Sequence, residues 1–265
     1  MARVLDKFWI FTCPAGTDNN GIDLVGGTRM TPAESAYYFG IPNLLFIGVN
    51  GIPVPYMPEA YQYAESFVPC KNVGWSIVEG AGLVFSRNVD FVRELAEKYS
   101  NFKIAFLDDF FHHKTGKAAI EKEELVKIKE KLTLEDRKLE LWPVIYPSRL
   151  GFPIQEYFEC FDALTFWICS ELEPAALNAT FERFEKIAVN KRILLGLYFY
   201  DYRIRQPIPL DNFKMQCETA LEWLKTGRID GIIFLGNTVA DVCPDTSRWL
   251  RAWIEKVKDV DVPEK

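Results

Sequence analysis

Two adjacent carboxylates, Asp108 and Asp109, lie in the segment Ala105-Phe-Leu-Asp-Asp-Phe-Phe111, directly after an apolar run and directly before aromatics. Two ionised carboxylates held close together in a low dielectric are costly, so one of the pair is expected to keep its proton. That division sets a proton donor beside an anion, which is what glycosidic bond cleavage requires. A plainer role is also open, because acids after strands often cap the next helix or accept from backbone amides. Alternation sends neighbouring strand residues to opposite faces, so both acids share a cavity only if the strand has already ended.

Other carboxylates stand at comparable positions. Glu79, Glu171 and Asp201 each follow a predicted strand. Paired with Asp108 or Asp109, one of them would make a retaining site at a separation of about 5–5.5 Å, or an inverting site at about 6.5–9.5 Å. Glu79 precedes Gly80-Ala-Gly82, and such glycines permit close backbone approach to a ligand; it is the third catalytic candidate. Glu171 also reads as an acid at the start of the helix opening at Pro174, and Asp201 as an ion-pair partner of Arg203 or Arg205. Tyr146, Trp167, Tyr198 and Tyr200 are candidate sugar platforms, with Tyr198 and Tyr200 on one face and Phe199 opposite. Asn50 and Asn237 end two further strands and could fix hydroxyl groups.

The elements that must hold these residues follow from the pattern of the whole chain. Eight apolar or aromatic runs begin near Lys7, Asn43, Val73, Lys103, Lys138, Phe161, Lys191 and Ile229. They recur about every 32 residues, the length of one strand–helix unit. Runs such as Ile193–Tyr200 are continuous and not alternating, as in parallel strands buried on both faces. Between them, residues 88–100, 118–132, 174–189, 210–225 and 247–258 have helical spacing. Eight such units in 265 residues predict one domain, a (β/α)8 barrel spanning 1–265. An open doubly wound sheet is the competing architecture, but no Gly-rich nucleotide turn follows the first strand and no Walker sequence occurs. In a barrel the working face is built from strand C-termini, where every residue named above falls.

The acid pair carries a resemblance. An apolar strand ending in Asp-Asp and followed by an aromatic resembles strand four of glycoside-hydrolase barrels. It is most similar to the O-GlcNAcase and hyaluronidase-like enzymes and more loosely to chitinases. The likeness covers about seven residues; the chitinase spacing of several alternating acids is absent. The resemblance implies that Asp108 orients and polarises the substrate's own 2-acetamido group and that Asp109 is the acid/base.

Composition narrows the alternatives. With 31 Lys and Arg against 37 Asp and Glu, the net charge of −6 disfavours a nucleic-acid-binding face. No apolar run approaches the roughly 20 residues that span a bilayer. Phe8–Cys13 is too short for a signal sequence, so a cytoplasmic location is expected. Six cysteines without a C-x-x-C pair read as free thiols. The two histidines, His112 and His113, follow the acid pair and read as exposed loop residues. The expected partner is a carbohydrate or other small molecule, with no cofactor, nucleic acid or membrane. A metal-dependent isomerase or hydrolase using Asp108, Asp109, Glu79 and a histidine is one alternative, and a non-catalytic carbohydrate-binding barrel is another. Two loops are long enough to shape a pocket: 14–31, a candidate lid, and 201–209, whose Arg203 and Arg205 would favour a carboxylate- or sulfate-bearing ligand.

Overall fold

Eight short apolar strands pair in parallel and close on themselves. They are β1 (Phe8–Thr12), β2 (Asn43–Phe46), β3 (Asn72–Ser76), β4 (Phe102–Leu107), β5 (Glu140–Ile145), β6 (Ala163–Ile168), β7 (Arg192–Leu197) and β8 (Gly231–Leu235). Each pairs with its neighbours in sequence, and β8 returns to β1 with Ile232 opposite Phe8. The computed structural model describes residues 1–19, 27–79, 82–168 and 174–264. The protein is a (β/α)8 barrel, as the spacing of the apolar runs implies.

Outside the strands lie α1 (Pro32–Phe39), α2 (Pro58–Ser66), α3 (Ser86–Lys98), α4 (Lys122–Lys131), α5 (Pro174–Glu185), α6 (Leu210–Lys225) and α7 (Pro244–Val257). Between β5 and β6 two 3-10 segments, Pro147–Arg149 and Ile154–Cys160, stand where the repeat would place a helix. The outer strand faces bury aromatics against the helices: Phe166 stacks on Phe184, and Phe8 stacks on Trp253. No helix of the described residues is long and apolar enough to cross a membrane. The described cysteines, Cys13, Cys70, Cys160, Cys217 and Cys243, are free thiols.

The barrel interior is filled by rings that reach across it. Trp9 of β1 meets Trp142 of β5 at 5.0 Å between ring centres, and Phe11 meets both Phe106 of β4 and Trp167 of β6. Trp167 lies against Gly196 of β7, where any Cβ would overlap the indole. These contacts mark residues 106, 142, 167 and 196 as inward-facing. Period-two alternation then carries Asp108, Tyr146 and Tyr198 onto the same inward face, one layer nearer the C-terminal mouth.

Candidate active site

Strand β4 ends at Leu107, and the acid pair occupies the turn that follows. Asp108 keeps the inward direction of the strand. Asp109 adopts φ 48°, the left-handed region a non-glycine residue seldom enters. This reversal breaks the alternation of the strand, and both carboxylates lie within charge range of Tyr146. The turn is braced from the neighbouring unit. Gly82, at φ 75°, lies so close that a Cβ there would run into the Asp109 carbonyl oxygen. Phe110 and Phe111 anchor the other side, buried in edge-to-face contact with Tyr157 and Phe161.

Electrostatics separate the two acids. Burial, then the negative charge of Asp109, push the Asp108 carboxyl up to about 8, although the Asp109 backbone N–H donates to it. Asp108 is half-buried, and protein crowds its carboxyl. Asp109 is exposed at its surface, yet protein crowding around its carboxyl also raises it, and the charges of Arg149 and His113 oppose that rise. Asp108 therefore keeps its proton at neutral pH, while Arg149 and His113 favour the ionised form of Asp109.

Tyr146 and Tyr198 stand beside the acids, their hydroxyl oxygens 3.4 Å apart. Burial first, then the Tyr198 and aspartate charges, raise the Tyr146 phenol well above its ordinary value, so it stays a proton-bearing donor. Next to them opens a cavity of about 680 Å³ lined by His113, Tyr146, Ser148, Arg149, Tyr198, Tyr202 and Arg203.

The remaining sequence candidates are distributed differently. Trp167 is buried in the barrel core: its indole N–H donates to Thr165 Oγ1, and its ring meets Tyr198 edge-on at 5.4 Å. Tyr200 is buried against Tyr202, and Phe199 points the opposite way onto Phe213 of α6. Asp201 is buried in a short hairpin, Tyr200–Asp201 with Gln206–Pro207, and receives both the Nε and an Nη of Arg203. Burial raises its carboxyl, but the Arg203 hydrogen bonds outweigh that and hold it below the usual range. Arg203 thus reaches the cavity with its charge already matched.

Glu79 lies in the hairpin Val78–Glu79 with Leu83–Val84, where its carboxylate accepts from Arg87 at 2.8 Å and from Asn88. That ion pair with α3 gives it a local partner apart from the acid pair. Asn50 is exposed with φ 53° and precedes Gly51 in a tight turn closed by hydrogen bonds between Val49 and Ile52. Asn237 is buried, and its amide accepts from Cys13 N and donates to the carbonyls of Cys13 and Met30, so it laces two loops together. Glu171 lies outside the described residues, as do 20–26 of the candidate lid. His112 and His113 are exposed, with His113 at the cavity. No group of three His, Cys, Asp or Glu side chains among the described residues could hold a metal ion.

Arg149 was not among the sequence candidates. A lone arginine after a strand usually reads as solvated surface; the available signal was its position four residues beyond the end of β5, in Tyr146-Pro-Ser-Arg149.

No protein-family model and no curated protein matches the sequence. Solved structures do match the fold. The glycoside hydrolase domain of PgaB (BpsB) from Bordetella bronchiseptica is similar with a TM-score of 0.53 at 7% identity, covering 86% of this chain and 92% of that one. A chitinase catalytic domain from Pyrococcus furiosus gives 0.51 at 11% identity over 86% and 83% of the two chains. A tryptophan synthase alpha-subunit from Pyrococcus furiosus gives 0.53 at 8% identity over 97% and 99%. The class these likenesses define is the TIM barrel, a fold that hosts many chemistries.

Proposed function

We propose that the protein is a glycoside hydrolase-like enzyme that cleaves a glycosidic bond with Asp108 and Asp109 at the C-terminal mouth of the barrel. One observation carries the reading: two consecutive carboxylates, the first pushed up to about 8, lie within charge range of Tyr146 on the wall of a cavity. A protonated Asp108 delivers its proton to the departing glycosidic oxygen. Ionised Asp109 steadies the positive charge that grows on the sugar ring or on a participating acetamido group; water then bonds to the anomeric carbon and gives its proton to the Asp108 carboxylate, which restores the acid. The resemblance to O-GlcNAcase-type barrels implies the reverse division. Local charge supports the first assignment, because Arg149 and His113 favour the ionised form of Asp109 and not of Asp108. The Tyr146 and Tyr198 hydroxyls are placed to bind sugar oxygens. Glycoside-hydrolase domains among the fold neighbours support an enzyme of this kind by analogy.

The test is turnover of a panel of 4-nitrophenyl glycosides, including the N-acetyl-β-D-glucosaminide, by the native protein and by Asp108→Asn and Asp109→Asn. Each variant should lose about 10²–10⁴-fold in kcat while remaining folded by circular dichroism. Equal activity in all three proteins removes the acid pair from the reaction. Glycan binding that survives both substitutions, with no hydrolysis, makes the barrel a binding protein.

A further inference from the structure

Arg149 is 7% exposed yet has no carboxylate within salt-bridge distance among the described residues. A buried guanidinium is normally matched by an acid, because desolvating an unpaired charge is costly. Here Nε donates to the Phe111 carbonyl at 3.1 Å, while Nη1 donates to Ser148 Oγ at 2.6 Å and, at 3.5 Å, to the His113 carbonyl. The guanidinium carbon lies 5.4 Å from the centre of the Tyr146 ring. These contacts fix the group's plane, and no described residue accepts a hydrogen bond from Nη2. Ser148 is exposed, and its oxygen accepts from Arg149, which frees its own proton for donation. Both residues line the 680 Å³ cavity beside the acid pair. The other guanidinium on that wall, Arg203, already has Asp201.

We infer that Arg149 and Ser148 form a subsite for an anionic substituent, a carboxylate or a sulfate ester, on the sugar that this mouth receives. The inference names the substrate class of the site proposed above and rests on that reading. The anion would give Arg149 a counter-charge in direct contact, where Asp109 acts on it only beyond ion-pair distance, with Arg149 Nη2 and the Ser148 hydroxyl as its two donors. An uncharged sugar would leave Arg149 without that direct ion pair. Discrimination against the neutral analogue follows, as it does wherever a built polar site is left unfilled.

The experiment measures binding of 4-nitrophenyl β-D-glucuronide, 4-nitrophenyl β-D-glucoside and 4-nitrophenyl β-D-glucoside 6-sulfate by calorimetry at low ionic strength. The native protein should bind one of the charged ligands at least tenfold more tightly than the glucoside, and which one it is assigns the carboxylate or the sulfate. Arg149→Met should bring the ratio near one, and Ser148→Ala, at an exposed position, should lower it severalfold. If Arg149→Met does not fold, Ser148→Ala decides. Equal affinity for charged and neutral ligands, no binding of either charged ligand, or an unchanged ratio in the variants overturns the inference. Charge-dependent binding without hydrolysis of any glycoside keeps the subsite and sinks the glycosidase reading. Hydrolysis without charge preference does the reverse.

Discussion

The two sides of the barrel mouth use similar residues to opposite ends. On the β8–β1 side, Asn237 and Asp241 spend their polar atoms on backbone. The Asn237 amide is bonded to Cys13 and Met30, and Asp241 accepts from the N–H groups of Arg29 and Met30. On the β4–β5–β7 side, Tyr146 and Tyr198 line an open cavity, and Asp108 lies within charge range of Tyr146. The acids record the difference. Burial works to raise both Asp241 and Asp108. Hydrogen bonds from Thr28, Arg29 and Met30 reverse this at Asp241 and lower it, whereas Asp108 gains one backbone N–H and a neighbouring negative charge and stays raised. Burial near the mouth thus does not by itself keep an acid protonated; the supply of nearby donors decides.

The largest expected effect is kinetic and confined to one side. Native kcat/KM should fall as pH rises through about 8, where Asp108 loses its proton, and Asp108→Asn should leave only a residual rate without that limb. A pH–rate profile on any turned-over glycoside checks this; a flat native profile would erase the distinction between the sides. Next comes stability on the other side. Asn237→Leu strands the Cys13 N–H and two carbonyls, and should cost about 2–4 kcal/mol in urea denaturation without moving the alkaline limb.

A smaller effect couples stability to pH. The raised Asp108 stabilises the fold fully below the ordinary carboxylate range, near 4, and this contribution is lost as pH rises through about 8. Asp108→Asn cannot ionise, so its stability relative to the native protein should grow from pH 5 to pH 9. Because the group is half-exposed, a gain of about 1 kcal/mol, or 2–4 °C in Tm, is expected by calorimetry at pH 9. Smallest of all, Glu79→Gln weakens an ion pair with a largely exposed arginine and should cost less than about 1 kcal/mol, with kcat changed by less than about threefold.

The barrel was legible because each strand is a dense apolar run and the runs recur at one interval. Helices α3 to α7 showed in their 3–4 spacing. Helix α1 is only eight residues, announced by Thr31 and Glu34 in a capping box, and α2 buries Ala60 and Ala64, which carry little apolar signal. Asp108, Tyr146 and Tyr198 were readable at the mouth because alternation continues past the strand end. Asn237 and Glu79 had the right types and positions, but the groups that occupy them differ in distance. Arg87 and Asn88 sit one helix-start away in sequence, whereas Cys13 and Met30 lie more than two hundred residues away. Arg149 offered only its position after β5, because burial of a single cation leaves no periodic mark.

The 3-10 connection between β5 and β6 sets a limit on how this chain could be rebuilt. Tyr157 and Phe161, at and just beyond its second segment, grip the two phenylalanines that follow the acid pair. The turn that bears the acid pair is thus held by rings from a crossover one unit downstream, so its position depends on that short connection staying where it is.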